Sequence, residues 1–294
     1  MGTTWSVRIA ALPGRLAEVI EPGIRAILDR IVAQMSQWEP ESDLSRFNRS
    51  SPGSWQRLPP EFVHVLDAAL DVSARSGGVF DPAMGVLADR WGFGPSGARA
   101  SVPPAEPISE RRIELDSLLF SARRSVGAAL DFSGIAKGYA VDAVAGYLHG
   151  LGLEDFLVEI GGELRGSGIR PDGQPWWVDV EQVLGASVAP IRVALHGLSI
   201  ATSGDYRRHF EAEGKRYAHT LDPRTGAPAD NGVASVTVLH AECMLADAWA
   251  TALTVLGPEG FAVAEREGLA AHMVVREEQG AREILSPGFL AMLA

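Results

Sequence analysis

A chain of 294 residues, 46% hydrophobic and 21% charged, has room for one large globular domain or for two closely joined lobes. Its formal charge of −11, with the basic residues scattered, excludes the concentrated positive surface that phosphate-backbone binding needs, so nucleic acid is not an expected partner. The single cysteine, Cys243, excludes an internal disulfide and a cysteine-rich zinc site, and no apolar run approaches the roughly 20 residues of a transmembrane segment.

The opening MGTTWSVRIAALPG reads as a strand and a turn. It lacks the basic start, apolar centre and small-residue cleavage site of a secretory signal, so the chain as it stands is expected to be soluble and cytoplasmic. Ile20, Ile24, Ile27, Leu28, Ile31, Val32 and Met35 recur at three- and four-residue spacing, predicting an amphipathic helix that ends near Gln37. EPESDLSRFNRS then reads as a loop with short turns. A second helix is predicted from Glu61 to Ser76, with Val65, Leu66, Ala69 and Leu70 inward and Gly77-Gly78 as its stop.

SGARASVPPAEPIS has neither period and is expected to be an exposed connection. ALDFSG is strand-like and leads into a helix over IAKGYAVDAVAGYLHGLGL. FLVEIGGELRGSG reads as a strand, a Gly-Gly break and a second strand, with further strands in WWVDVEQVL, IRVALHGLSIATSG, ASVTVLH and AHMVVREE. CMLADAWATALTVLG is a helix closed by Gly257, its cysteine in the apolar core. Strands and helices mix without the regular alternation of a parallel doubly wound sheet, so the fold class is α+β with mainly antiparallel sheet.

Four stretches bear on chemistry. GGVFDPAMGVLADRWGFGP holds Phe80, Trp91 and Phe93, either an aromatic slot for a flat ring or a core-anchored loop. DFSGIAKGYAVD is a strand-to-helix junction whose glycines permit close backbone approach and whose helix N-terminus offers N–H groups to an anion. Lys137 there is a point charge for such an anion or a surface lysine, and the segment does not match a P-loop. HTLDPRTG packs a histidine, an aspartate and an arginine into a turn, and reads as a solvated loop or as the edge of an active site. In LADAWATAL, Asp247 and Thr251 stand four apart on one helix face among small and apolar neighbours, a pair suited to a hard cation that takes oxygen ligands. The alternative is a solvated aspartate and a threonine bonded back to its own helix.

Taken in order, MGTTWSVRI, MSQWEPESDLSRFN, GGVFDPAMGVLADRWGFGP, LDFSGIAKGYAVDAVAGYL, FLVEIGGELRGSG, ATSGDYRRHF, RYAHTLDPRTGAP and SVTVLHAECMLADAWATAL resemble the motifs of the ApbE-type FAD:protein FMN transferases, from Met1 to about Gly257. The resemblance implies an α+β fold related to the T-fold and a Mg²⁺-dependent activity. Such enzymes split FAD, attach its FMN half through a phosphoester to a threonine or serine of a target flavoprotein, and release AMP. It implies a metal site on the backbone carbonyl of Ala136 and the side chains of Asp247 and Thr251. Flavin-nucleotide contacts fall on Met1, Trp38, Val79, Phe80, Asp81, Ser133, Tyr139 and Leu221, with His219 as the base. Trp38 stands where the family commonly has Tyr and keeps a stacking face, and DFSG stands where it often has DLGG. Members usually act outside the cytoplasmic membrane after export or lipid attachment, which implies a periplasmic or membrane-associated protein if a leader has been removed.

With these roles, a metal on the pyrophosphate supplies positioning and charge stabilisation, and a histidine of ordinary pKa suits the proton of the attacking hydroxyl. HTLDPRTG then reads as a catalytic edge, with Asp222 and Arg224 shaping its turn. Two other functions use the same residues: a Mg²⁺-dependent FAD pyrophosphatase, in which water replaces the threonine, and an FAD-binding protein without turnover.

Overall fold

The structure is a computed structural model describing residues 2–11, 14, 17–98, 101–104, 111–183, 188–206, 208–212, 214–278 and 280–293. The chain divides into two compact units, one formed by Met1–Arg30, Ile135–Gly204 and Asn231–Ala294, the other by Ile31–Gly134 and Asp205–Asp230.

The first unit is built on a seven-stranded sheet. Its strands run, in spatial order, Trp5–Ile9, Phe156–Ile160, Glu163–Ser167, Leu198–Gly204, Val233–His240, Ala270–Glu277 and Gly280–Leu285. Every neighbouring pair is antiparallel, as the irregular mixing of elements in the sequence predicts. Val233–His240 is buried along all but its last residue, which identifies it as an interior strand covered on both faces. Gly161 and Gly162 (φ 63° and 96°) supply the left-handed backbone that turns Phe156–Ile160 back into Glu163–Ser167, so the Gly-Gly break reads correctly from sequence.

Two helices of this unit, Ala136–Gly150 and Cys243–Leu256, pack on each other and on the sheet. Gly138 makes that packing possible. A Cβ at Gly138 would lie 2.3 Å from the Cys243 carbonyl oxygen and 2.7 Å from Met244 Cα. Glu242 offers no side-chain cap to the Cys243–Leu256 helix. The cap comes instead from the neighbouring helix: Asp142 accepts the Cys243 N–H (3.1 Å) and the Met244 N–H (2.9 Å). Arg165 bonds the same carboxylate. Burial pushes the Asp142 carboxyl above its ordinary range, against the opposing pull of these N–H groups and Arg165. Cys243 is a buried free thiol, the core residue expected of it.

The second unit holds the helices Asp43–Arg49, Pro60–Arg75 and Gly85–Arg90, and a small sheet in which Ser121–Arg124 lies between Gln56–Arg57 and Ile113–Asp116. Two hairpins complete it, His209–Ala212 with Lys215–Ala218 and Leu221–Asp222 with Ala227–Pro228. Its aromatic side chains form a core: Trp91 lies 5.7 Å from Tyr217, and Phe93 lies 5.8 Å from Phe210.

Two local expectations fail in this unit. EPESDLSRFNRS is not simply a loop, because it contains the helix Asp43–Arg49, capped by Ser42 Oγ, which accepts the Ser45 N–H at 3.0 Å. Leu44 and Phe47 anchor it by burial, but seven residues are too few to display a helical period. ALDFSG is not a strand. Asn48 takes over the backbone groups of Leu130, its side chain accepting the N–H and donating to the carbonyl at 2.6 and 2.9 Å. The only ladder contact of that stretch among the described residues is a bridge from Ala129 to Met84. SGARASVPPAEPIS lies partly outside the described residues, and its residues 96–98 and 101–104 are exposed or half-buried. Among the described residues no helix is long and apolar enough to cross a membrane.

Candidate functional site

Asp247 sits in the first turns of the Cys243–Leu256 helix and is only 5% exposed, so the reading of a solvated aspartate does not hold. Its Oδ2 accepts the Gly138 N–H at 3.1 Å, and Lys137 Nζ stands 3.4 Å from its Oδ1. Lys137 is not a surface lysine: it also donates to Glu163 Oε1 at 2.6 Å. Desolvation alone would make this ammonium easier to deprotonate. The carboxylates of Asp247 and Glu163 outweigh it and hold the Lys137 pKa above its usual value. Ala136 is the first residue of its helix, next to Lys137 in the chain.

Thr251 lies one turn beyond Asp247 and is half-buried. Its neighbour Thr254 bonds back to the Ala250 carbonyl at 2.8 Å, as helical threonines do, whereas the Thr251 hydroxyl makes no hydrogen bond among the described residues. An unspent hydroxyl and a buried carboxylate on one helix face are hard oxygen donors. Among the described residues no group of three His, Cys, Asp or Glu side chains could hold a metal by itself. A donor set of one carboxylate and one hydroxyl fits Mg²⁺, which keeps several waters and takes phosphate oxygens from a substrate.

The other candidate residues, apart from Met1 and Tyr139, lie in the second unit. Trp38 is 49% exposed, and the Arg208 guanidinium sits 5.4 Å from its ring centroid. Gln37, buried beside it in sequence, donates to Asp131 Oδ1 (3.3 Å) and Ser133 Oγ (3.1 Å), tying the Trp38 segment to the loop that carries Ser133. Ser133 N–H is itself bonded to Asp131 Oδ1 at 2.8 Å, which leaves the side chain exposed. Val79 and Phe80 are buried, as are Trp91 and Phe93, so this segment is anchored in the core, around the helix Gly85–Arg90, and is not an open aromatic slot. Asp81 accepts the Ala83 N–H (2.8 Å) and pairs with Arg111, which also reaches the Pro223 carbonyl.

His219 is half-buried, with Phe93 edge-on at 6.3 Å. The Arg208 carbonyl pairs with both its backbone N–H (3.0 Å) and its Nδ1 (3.1 Å). A carbonyl only accepts, so Nδ1 carries the proton and Nε2 of the neutral ring carries the lone pair. Leu221 is buried in the cluster of Met84, Leu87, Trp91 and Phe93. Asp222 accepts four hydrogen bonds to its carboxylate from the backbone and guanidinium of Arg224, and its carbonyl takes the Gly226 N–H at 2.9 Å. These two residues shape the turn. Burial would raise the Asp222 pKa, but the Arg224 bonds outweigh it and hold it below its usual value.

Tyr139 is half-buried in the first turn of the Ala136–Gly150 helix, in the first unit. Met1 lies outside the described residues. Sequence reasoning passed over Glu163, Asp142, Gln37 and Arg208. Glu163 had a visible signal, an acid opening a strand directly after Gly161-Gly162. The others act through contacts with distant segments and carry no local signature.

A family model described as the ApbE family matches residues 1–273. The chain is 38% identical to an FAD:protein FMN transferase of Vibrio cholerae serotype O1, across all of this chain and 91% of that protein. It is 35% identical to a protein of the same name from Haemophilus influenzae, across 95% of this chain and 86% of the other. Among solved structures it resembles the apo form of Pseudomonas stutzeri flavinyl transferase ApbE, with a TM-score of 0.89 and 40% identity over 99% of this chain and 94% of that one.

Proposed function

The chain belongs to the ApbE family, and from that premise we propose the parts its residues play in an FAD:protein FMN transferase. FAD is the substrate and a flavoprotein is the target. The observation that carries the assignment of roles is the buried Asp247 carboxylate with the unspent Thr251 hydroxyl one turn on, in a chain matched end to end by proteins of this activity.

Asp247, Thr251 and the Ala136 carbonyl are the residues that would hold Mg²⁺. When bound, it would neutralise charge on the pyrophosphate and orient it. Trp38 presents an exposed aromatic face to a flat ring, and Ser133 presents a hydroxyl on the loop tied to it through Gln37. Tyr139 adds a second aromatic face, and Met1 a contact at the chain start. Val79, Phe80 and Leu221, with buried side chains, serve by holding backbone in place; Asp81 is locked to Arg111 for the same purpose.

The acceptor is a threonine hydroxyl of the target protein. Its oxygen forms a new bond to the FMN-side phosphorus, the anhydride bond to the AMP phosphate breaks, and AMP leaves with the bridging oxygen. The hydroxyl proton passes to Nε2 of His219, the nitrogen that the Arg208 carbonyl leaves with a lone pair. Incubation with FAD, Mg²⁺ and a threonine-bearing acceptor domain, followed by mass analysis, tests the reading. A domain heavier by one FMN phosphoester, with stoichiometric AMP, supports it. AMP and free FMN with an unmodified domain would identify a hydrolase, and unchanged FAD a binding protein.

A further inference from the structure

Two acids and one lysine meet in the first unit, and the distances among them are unequal. Glu163, 1% exposed, holds Lys137 Nζ at 2.6 Å, while Asp247 stands 3.4 Å from the same nitrogen. Glu163 therefore has the tighter hold on the ammonium. Lys137 reaches this position from the first turn of its helix, and Asp247 is fixed independently by the Gly138 N–H at 3.1 Å.

We infer that Glu163 and Lys137 are positioning residues that set how tightly Asp247 takes a divalent cation, Glu163 by holding the ammonium off Asp247 and Lys137 by competing for it. The inference rests on the reading of Asp247 as a metal ligand. The physical argument is one of charge at close range. Two carboxylates and one ammonium leave a single net negative charge, enough to attract a dication but partly cancelled at the oxygen it must reach. Neutralising Glu163 removes the competing anchor, so the ammonium settles on Asp247 and the local charge falls to zero. Neutralising Lys137 does the reverse, exposing both carboxylates. The two changes push cation affinity in opposite directions. Loss of packing would push both the same way.

The test is Mn²⁺ binding to the metal-stripped full-length protein, read from the free-ion electron paramagnetic resonance signal without flavin or turnover. Glu163→Gln is expected to weaken binding by roughly tenfold, and Lys137→Met to tighten it by a similar factor, a small part of the Coulomb interaction between unit charges at this range. Lys137→Gln serves if Lys137→Met melts below the assay temperature, and melting curves are recorded on every protein used. Equal affinity in all proteins, or weakening by both substitutions, overturns the inference. If wild type binds Mn²⁺ and Asp247→Asn abolishes binding, such a result removes the inference alone. If wild type binds none, the metal-ligand reading of Asp247 falls with it.

Discussion

The carbonyl of Arg208 meets His219 twice, at the backbone N–H (3.0 Å) and at Nδ1 (3.1 Å). One acceptor thus sets both the place of the residue and the tautomer of its ring. A ring oriented by a backbone carbonyl cannot be released by mutating its partner's side chain, so the residue itself must be changed. His219→Asn is expected to lower the single-turnover rate of flavin transfer by about 10²-fold or more, the scale of a general base. FAD affinity and melting temperature should stay near wild type. A wild-type transfer rate in folded His219→Asn protein would remove the residue from the chemistry.

Asp247→Ala is expected to abolish transfer, and excess chelator should do the same to the wild type. Thr251→Val keeps the shape of the side chain and removes only the oxygen. It should shift the Mg²⁺ dependence of the rate to higher concentration while leaving the melting temperature of the metal-free protein nearly unchanged, because among the described residues that hydroxyl makes no hydrogen bond to lose. Full activity of either variant in chelator contradicts the metal assignment.

Trp38 is half-exposed and already stacks with a cation, Arg208, at 5.4 Å. Trp38→Ala is expected to weaken FAD binding several-fold, in line with the about 0.5–1.5 kcal/mol of an aromatic pair, and Trp38→Phe to restore most of it. Equilibrium titration with FAD measures both. An unchanged dissociation constant in Trp38→Ala would exclude a stacking role.

Gly138 faces backbone on the adjoining helix, and a Cβ there would stand 2.3 Å from the Cys243 oxygen. Gly138→Ala should destabilise the fold by about 1–3 kcal/mol, as overpacking does, despite the better helix propensity of alanine. It also moves the N–H that bonds Asp247. Urea unfolding is the measurement, and a variant as stable as wild type would show that the helices separate freely.

Asp222 contributes a pH dependence whose sign follows from its lowered pKa in the folded state. Stability from its Arg224 bonds is present above the ordinary carboxylate range and is lost as pH falls through the depressed folded-state value. The melting-temperature gap between wild type and Asp222→Asn should therefore be open near neutrality and close progressively in acid. A gap that widens in acid would contradict the assignment.

Periodicity along the chain determined most of what is regular here. The spacing of Ile20, Ile24, Ile27 and Ile31 marks one helix, and Gly161-Gly162 between two apolar runs marks a hairpin. Asp247 and Thr251 share a helix face because 3.6 residues make a turn, which any reader of the sequence can compute. Motif order alone placed the chain among flavin transferases. What the sequence could not decide is which distant groups would meet. Glu163 lies 26 positions from Lys137, and Asp247 lies 110. The Asp142 carboxylate caps a helix that begins 101 residues later. The Asn48 bonds that replace a ladder at Leu130 depend likewise on a partner 82 positions away. A local period follows from the geometry of a single segment. A charge pair, a cap from another helix or a tautomer set by another segment's carbonyl follows from packing, which exists only once the whole chain has buried its apolar surface.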